Sequence, residues 1–159
     1  MSTSVKPIPD RYHTVTPYLI VKDSAKAIEF YKQAFNATEI IRMPTPDGKI
    51  CHAEIRIGNS AVMMADEFPQ CNVRSPESLG GTAAMLMIYV EDVDASAARA
   101  IAAGAKVLRP VQDQFYGDRT GTFIDPFGHH WTLSTHKEDV GPEELNRRFA
   151  QMMKKCAPQ

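Results

Sequence analysis

The same order of short elements occurs twice in this chain, about seventy residues apart, and this repeat limits the possible folds more than any other feature. Thr16 to Val21 reads as a strand, and Asp23 caps a helix from Ser24 to Phe35 with Ala27, Ile28, Tyr31 and Phe35 on one stripe. Asn36 closes that helix. Strands follow at Glu39–Met43, Ile50–Ile57 and Ala61–Ala65, with Pro46-Asp47-Gly48-Lys49 as a hairpin turn. The second half answers with a strand at Met85–Val90, a helix over Val93–Ala103 closed by Gly104, and strands at Lys106–Arg109, Thr120–Asp125 and His130–Thr135. Each half therefore reads βαβββ.

Neither half can bury its helix and its strand face alone, so the two are expected to pair. The predicted fold is α+β: two βαβββ modules forming a curved, mostly antiparallel sheet with a concave cavity, helices outside, and a C-terminal helix. Its parts are an arm over residues 1–12, modules 13–66 and 83–136 forming one domain over 13–136, a connector at 67–82 and an extension at 137–159. In that extension Pro142 starts a helix with Leu145, Phe149, Met152 and Met153 on one stripe. The stripe either meets a second copy, giving a homodimer, or folds back on its own chain.

With 159 residues the chain is long enough for one good core and short for two. Eighteen basic and nineteen acidic residues give a net charge of -1 without long runs. That balance offers no footprint for nucleic acid or for an anionic membrane. No run of eighteen apolar residues spans a bilayer, and residues 1–10 lack the apolar stretch of a signal peptide. Cys51, Cys71 and Cys156 are odd in number and widely spaced, which fits a reducing cytoplasm better than a disulfide framework. Phosphate-loop, dinucleotide, serine-esterase and His-Glu-x-x-His motifs are all missing from the sequence.

Several segments together are similar to the vicinal oxygen chelate superfamily, the glyoxalase/bleomycin resistance/dioxygenase proteins. They are Val21-x-Asp23-x-x-x-Ala27-Ile28-Glu29-Phe30-Tyr31, Val90-Glu91-Asp92-Val93-Asp94, Ala103-Gly104-Ala105 and Asp125-Pro126-Phe127-Gly128. His52-Ala53-Glu54 and Phe115-Tyr116-Gly117-Asp118-Arg119 resemble its PhnB-like branch. The resemblance spans about Tyr12 to His136. Metal-dependent members place four His, Glu or Gln ligands on the concave face, and motif matching puts those positions on Thr16, Met64, Met85 and Thr132. Two hydroxyls and two thioethers suit a divalent first-row cation poorly, so no metal and no other cofactor is expected, and glyoxalase I chemistry is disfavoured with it.

Strand alternation extends that face to Tyr18 and Ile20 beside Thr16, Val62 beside Met64, Met87 and Tyr89 beside Met85, and His130 and Ser134 beside Thr132. These residues line a small-organic-molecule pocket, or Met64 and Met85 simply fill a narrow core. On the strand Cys51–Ile57, His52, Glu54 and Arg56 share one face, while Cys51 and Ala53 share the helix side. His52 with Glu54 is a base and its orienting partner, or two legs of an unorthodox metal site, or part of a salt-bridged edge with Arg56 or Arg42. Gln112 to Arg119 reads as a lid loop pivoting on Gly117, with Phe115 and Tyr116 for stacking. Arg119 there binds an anionic group, or Asp118 and Arg119 pair with each other or with the chain nearby to brace the loop. Trp131 falls on the convex side as core.

Two functions compete on this reading. One is a metal-independent binder that sequesters an antibiotic or metabolite, as bleomycin-resistance proteins do. The other is a lyase, isomerase or dioxygenase-like enzyme using His52 and Glu54, with or without a divalent metal.

Overall fold

The computed structural model describes residues 5–156, so the first four residues of the arm and the last three of the extension lie outside it. The first module holds β1 (Tyr18–Val21), α1 (Ser24–Phe35), β2 (Thr38–Pro44), β3 (Ile50–Ile57) and β4 (Ser60–Asp66). The connector carries a 3-10 turn at Pro69–Cys71 and a short helix α2 (Pro76–Leu79). The second module holds β5 (Met85–Tyr89), α3 (Val93–Ala103), β6 (Lys106–Asp113), β7 (Asp118–Ile124) and β8 (His130–His136), and α4 (Pro142–Cys156) follows.

Both module helices have the expected bounds because their ends are chemically marked. The Asp23 carboxylate accepts from Lys26 N at 3.0 Å, and the Asp92 carboxylate accepts from Ala95 N at 2.9 Å. Asn36 and Gly104 close the two helices in the left-handed region, at φ 53° and 116°.

The strands form two sheets of four, ordered β1-β4-β3-β2 and β5-β8-β7-β6. In each, the first strand pairs parallel with the last and the other two pairings are antiparallel. The helix after the first strand supplies the crossover that parallel pairing requires. β1 and β5 are both edge strands, so the two halves keep separate sheets and do not merge into one.

One core serves both modules. Ile28, Tyr31 and Phe35 of α1 cluster with Phe127, Trp131 and Leu133 of the second module. The buried Asp125 carboxylate accepts from Tyr31 OH at 2.7 Å, Trp131 Nε1 at 2.8 Å, and the backbone N–H groups of Phe127 and His129 at 2.9 Å each. His129 Nε2 donates to the Ile20 carbonyl at 3.0 Å and ties the modules a second time. Trp131 is core, as its parity indicated.

One parity assignment is corrected. Gly58 and Asn59 join β3 to β4 as a two-residue turn, pairing Ile57 with Ser60, Ile55 with Val62 and Ala53 with Met64. Ala53 and Ile55 face the helices, so Val62 and Met64 do too, and Met64 is fully buried in the core. Met63, opposite both Tyr18 and Glu54, takes the other face.

Candidate functional site

The helices cover one face of each sheet and leave the other open. On the first sheet the open face carries Tyr18 from β1 with His52 and Glu54 from β3. Tyr18 OH lies 3.0 Å from His52 Nδ1, and His52 Nε2 lies 3.2 Å from Glu54 Oε1. An ionised carboxylate only accepts, so Nε2 carries the ring proton and Nδ1 accepts from the tyrosine; a single neutral tautomer satisfies both bonds. Tyr12 OH donates to the same Glu54 oxygen at 2.6 Å, and Arg11 Nη2 stands 4.0 Å from it.

Glu54 is only 5% exposed. Burial pushes its carboxyl up, but the Tyr12 hydroxyl, His52 and Arg11 outweigh this and hold it below the usual carboxylate range. The salt-bridged edge anticipated with Arg42 or Arg56 does not form. Arg42 pairs with Glu39 at 2.9 Å, and Arg56 donates to the Asn59 carbonyl at 3.5 Å. Cys51 is exposed rather than packed on the helix side, because the β2–β3 register slips between Met43 and Pro44.

The second sheet presents Met85, Met87 and Tyr89 on its open face at 50%, 50% and 61% exposure. Thr132 stands behind them, its hydroxyl 3.2 Å from Met85 Sδ and 3.1 Å from Thr122 Oγ1. At the lower end of the same face the buried Asp118 accepts from Tyr89 OH at 2.8 Å, from Ser134 Oγ at 3.2 Å and from His136 Nδ1 at 2.7 Å. His136 Nε2 meets Asp139 at 2.9 Å. With a carboxylate at each ring nitrogen, only the doubly protonated ring of His136 can donate to both. Asp118 first, then Asp139, raises its pKa above the usual histidine value.

Sequence reasoning missed Tyr12, Asp118, His136 and Asp139. Tyr12 precedes the repeat and carries no periodic signal. His136, however, continues the alternation of His130, Thr132 and Ser134 by one more step.

The lid loop is also corrected. β6 runs to Asp113 and β7 starts at Asp118, leaving a tight turn closed by Gln114 N to Asp118 O at 2.7 Å and Gly117 N to Gln114 O at 3.1 Å. Tyr116 sits in that turn, 36% exposed, edge-on to Phe115. Arg119 points away from the open face and forks onto Asp94 of α3 at 2.8 and 2.9 Å, with Asp113 at 3.1 Å. It braces β7 against β6 and α3, the bracing reading in its nearby-chain form, while Asp118 faces the opposite side.

Within one chain the expected pocket residues divide between the sheets. Tyr18 and His130 border a cleft of about 420 Å3 beside the connector. Met87 and Tyr89 border a larger cavity of about 830 Å3 at the seam between the modules.

This architecture and residue pattern find a match in a family profile. The profile of the Glyoxalase/Bleomycin resistance protein/Dioxygenase superfamily matches residues 11–133. The chain belongs to this superfamily. A curated relative, an uncharacterised protein of Mycobacterium tuberculosis, is 47% identical over 134 residues, covering 82% of this chain and 79% of its own length. Among solved structures, TioX from Micromonospora sp. ML1 is similar at 30% identity and TM-score 0.62, covering 76% of this chain and 96% of its own. The fosfomycin resistance protein FosX from Listeria monocytogenes shares the fold at 22% identity and TM-score 0.61, covering 84% of this chain and 97% of its own.

The superfamily's metal-dependent members invite a test of this member's donor set. Thr16 Oγ1 donates to the His13 carbonyl at 2.9 Å, ahead of β1 rather than in it. Met64 is in the core, and Thr132 with Met85 bond to each other. Among the described residues no three His, Cys, Asp or Glu side chains converge as a metal-ligand group. The residues at the four positions do not fit a divalent cation.

Proposed function

We propose that this superfamily member binds a small organic molecule without a metal and sequesters it, an antibiotic or a metabolite, in a pocket closed when two copies associate. The observation that carries this reading is the chemistry of the open faces. Tyr18, Met85, Met87 and Tyr89 are each about half exposed there, beside the buried polar groups of Glu54 and Thr132. Exposed apolar side chains grouped around a few fixed polar atoms make a binding surface, and methionine lets it re-pack around different ligands. A second copy supplies the missing wall. The PhnB-like assignment belongs to this reading, as does a reducing cytoplasm, which suits the free cysteines Cys51 and Cys71.

Calorimetry against a panel of aromatic compounds and antibiotics tests it, with Met87→Glu as the control. Wild type is expected to bind at least one compound saturably, and the charge at position 87 to weaken that binding tenfold or more, on the order of 1.4 kcal/mol. Binding that is indifferent to Met87→Glu would count against the open face as the site.

The Tyr18–His52–Glu54 chain favours a second reading, an acid–base enzyme of the lyase, isomerase or dioxygenase-like kind. A histidine held in one tautomer between a tyrosine and a carboxylate is equipped to move a proton at Nδ1. Metal analysis of chelator-free protein and of His52→Ala separates the two. Stoichiometric metal lost with His52 supports the enzyme, and metal-free protein with unchanged ligand binding supports the binder.

A further inference from the structure

The cavity of about 830 Å3 at the module seam wraps edge strand β5, with Leu86 and Ile88 on its helix side and Met87 and Tyr89 at its border with the open face. Its floor is core: Phe35 of α1, Val62 of β4, and Trp131 and Leu133 of β8. Its existence has a compositional cause. Leu86 and Ile88 lie beside Trp131 and Leu133 in register, on the face that a helix should cover, yet they are only partly buried. Over them α3, built largely of alanine, contributes Ser96 and Arg99 where α1 supplies Ile28, Tyr31 and Phe35 to its own side. A groove of this size with a core floor beside a partly covered edge strand is large enough to take a small organic ligand.

The mouth indicates what kind. Arg99 donates to Ser96 Oγ at 3.0 Å, and among the described residues no carboxylate lies within salt-bridge distance of it. Glu91 and Asp92 share the rim, but Asp92 is committed to capping α3. With no carboxylate on it, the Arg99 guanidinium is open to one anionic group, held clear of Glu91 and Asp92. We infer that the seam is a binding site for an amphipathic monocarboxylate, its apolar body over Trp131 and its carboxylate on the Arg99 guanidinium. The site touches the open face at Met87 and Tyr89, but its apolar floor and its cation stand on the helix side, so it does not depend on the open faces binding a ligand.

Trp131 is the only tryptophan of the chain and reports on the cavity directly. Its emission is followed while wild type is titrated with decanoate or with 1-decanol. Decanoate is expected to change the emission saturably. Arg99→Gln should weaken decanoate about tenfold or more, since a charge-assisted hydrogen bond is lost, and change decanol less than about twofold. Ser96→Phe, which projects a ring into the space, should abolish the response to both. An unresponsive wild type, equal effects of Arg99→Gln on acid and alcohol, or full binding by a folded Ser96→Phe variant would each overturn the assignment.

Discussion

Two buried carboxylates show how a single residue acts at opposite ends of this structure. Asp125 satisfies four donors from α1, β8 and the turn between β7 and β8, so it fastens one module to the other. Asp125→Ala strands those donors without solvent, and a loss of about 3–5 kcal/mol in urea unfolding is expected. Glu54 is fastened in the same way but on the open face. Its folded pKa lies below its unfolded one, so its stabilising contribution is present above the unfolded value and lost as pH falls through the folded value. Wild type should therefore lose stability faster than Glu54→Gln between about pH 5 and pH 3, which paired thermal melts across that range will check.

At the scale of elements, the segment between β8 and α4 is held by chemistry that changes with pH. Lys137 N and Glu138 N both donate to the Gly117 carbonyl, at 2.9 and 3.0 Å, and His136 grips Asp139. Gly117 has φ 100°, and a Cβ there would stand 2.1 Å from the Glu138 carbonyl oxygen. Gly117→Ala is expected to cost about 1–3 kcal/mol in denaturant unfolding and to loosen the segment. The folded pKa of His136 is raised, so its contribution is complete below the unfolded value and disappears as pH climbs through the folded one. A neutral ring donates once, so the exposed Asp139 is released before the buried Asp118. Hydrogen exchange of the α4 amides should accelerate with pH beyond the intrinsic rate in wild type. In Asp139→Asn it should already be fast at pH 6. Equal protection in both proteins would sink this account.

At the scale of the whole molecule, several large apolar side chains are exposed among the described residues. α4 returns to its own chain through Phe149, whose ring lies 5.7 Å from Phe115, and through Arg148 on Glu138 at 2.8 Å. Phe149 and Met153 nevertheless stay about half exposed, as do the methionines of β5. Burying side chains of this size is worth up to about 1.5–3 kcal/mol each, enough to drive association. Sedimentation should find the full chain dimeric at micromolar concentration. A version ending at Val140 should dissociate more readily if α4 carries the contact, and equally strong dimers would assign it to the sheets alone.

The repeat, the helix caps and the two-residue alternation were legible in the chain because each depends on neighbours a few positions apart. Asp23, Asn36, Asp92 and Gly104 end their helices by local hydrogen bonding and backbone conformation, so both helix spans could be read directly. The orientation of His52 and Glu54 followed from alternation along one strand. What needed the tertiary structure were facts settled between strands. The Gly58-Asn59 turn sets the register that turns Met64 into the core and Met63 outward, a shift of one residue that reverses the face. Arg119 had two acids near it in sequence, Asp113 and Asp118, and only the packing of α3 on its module brought Asp94 to it. Tyr12 reached Glu54 across forty-two positions, and the seam cavity arose from one alanine-rich helix meeting an uncovered edge strand. Sequence spacing determines which face a side chain shares, whereas the opposing group is chosen by chain closure over long distances.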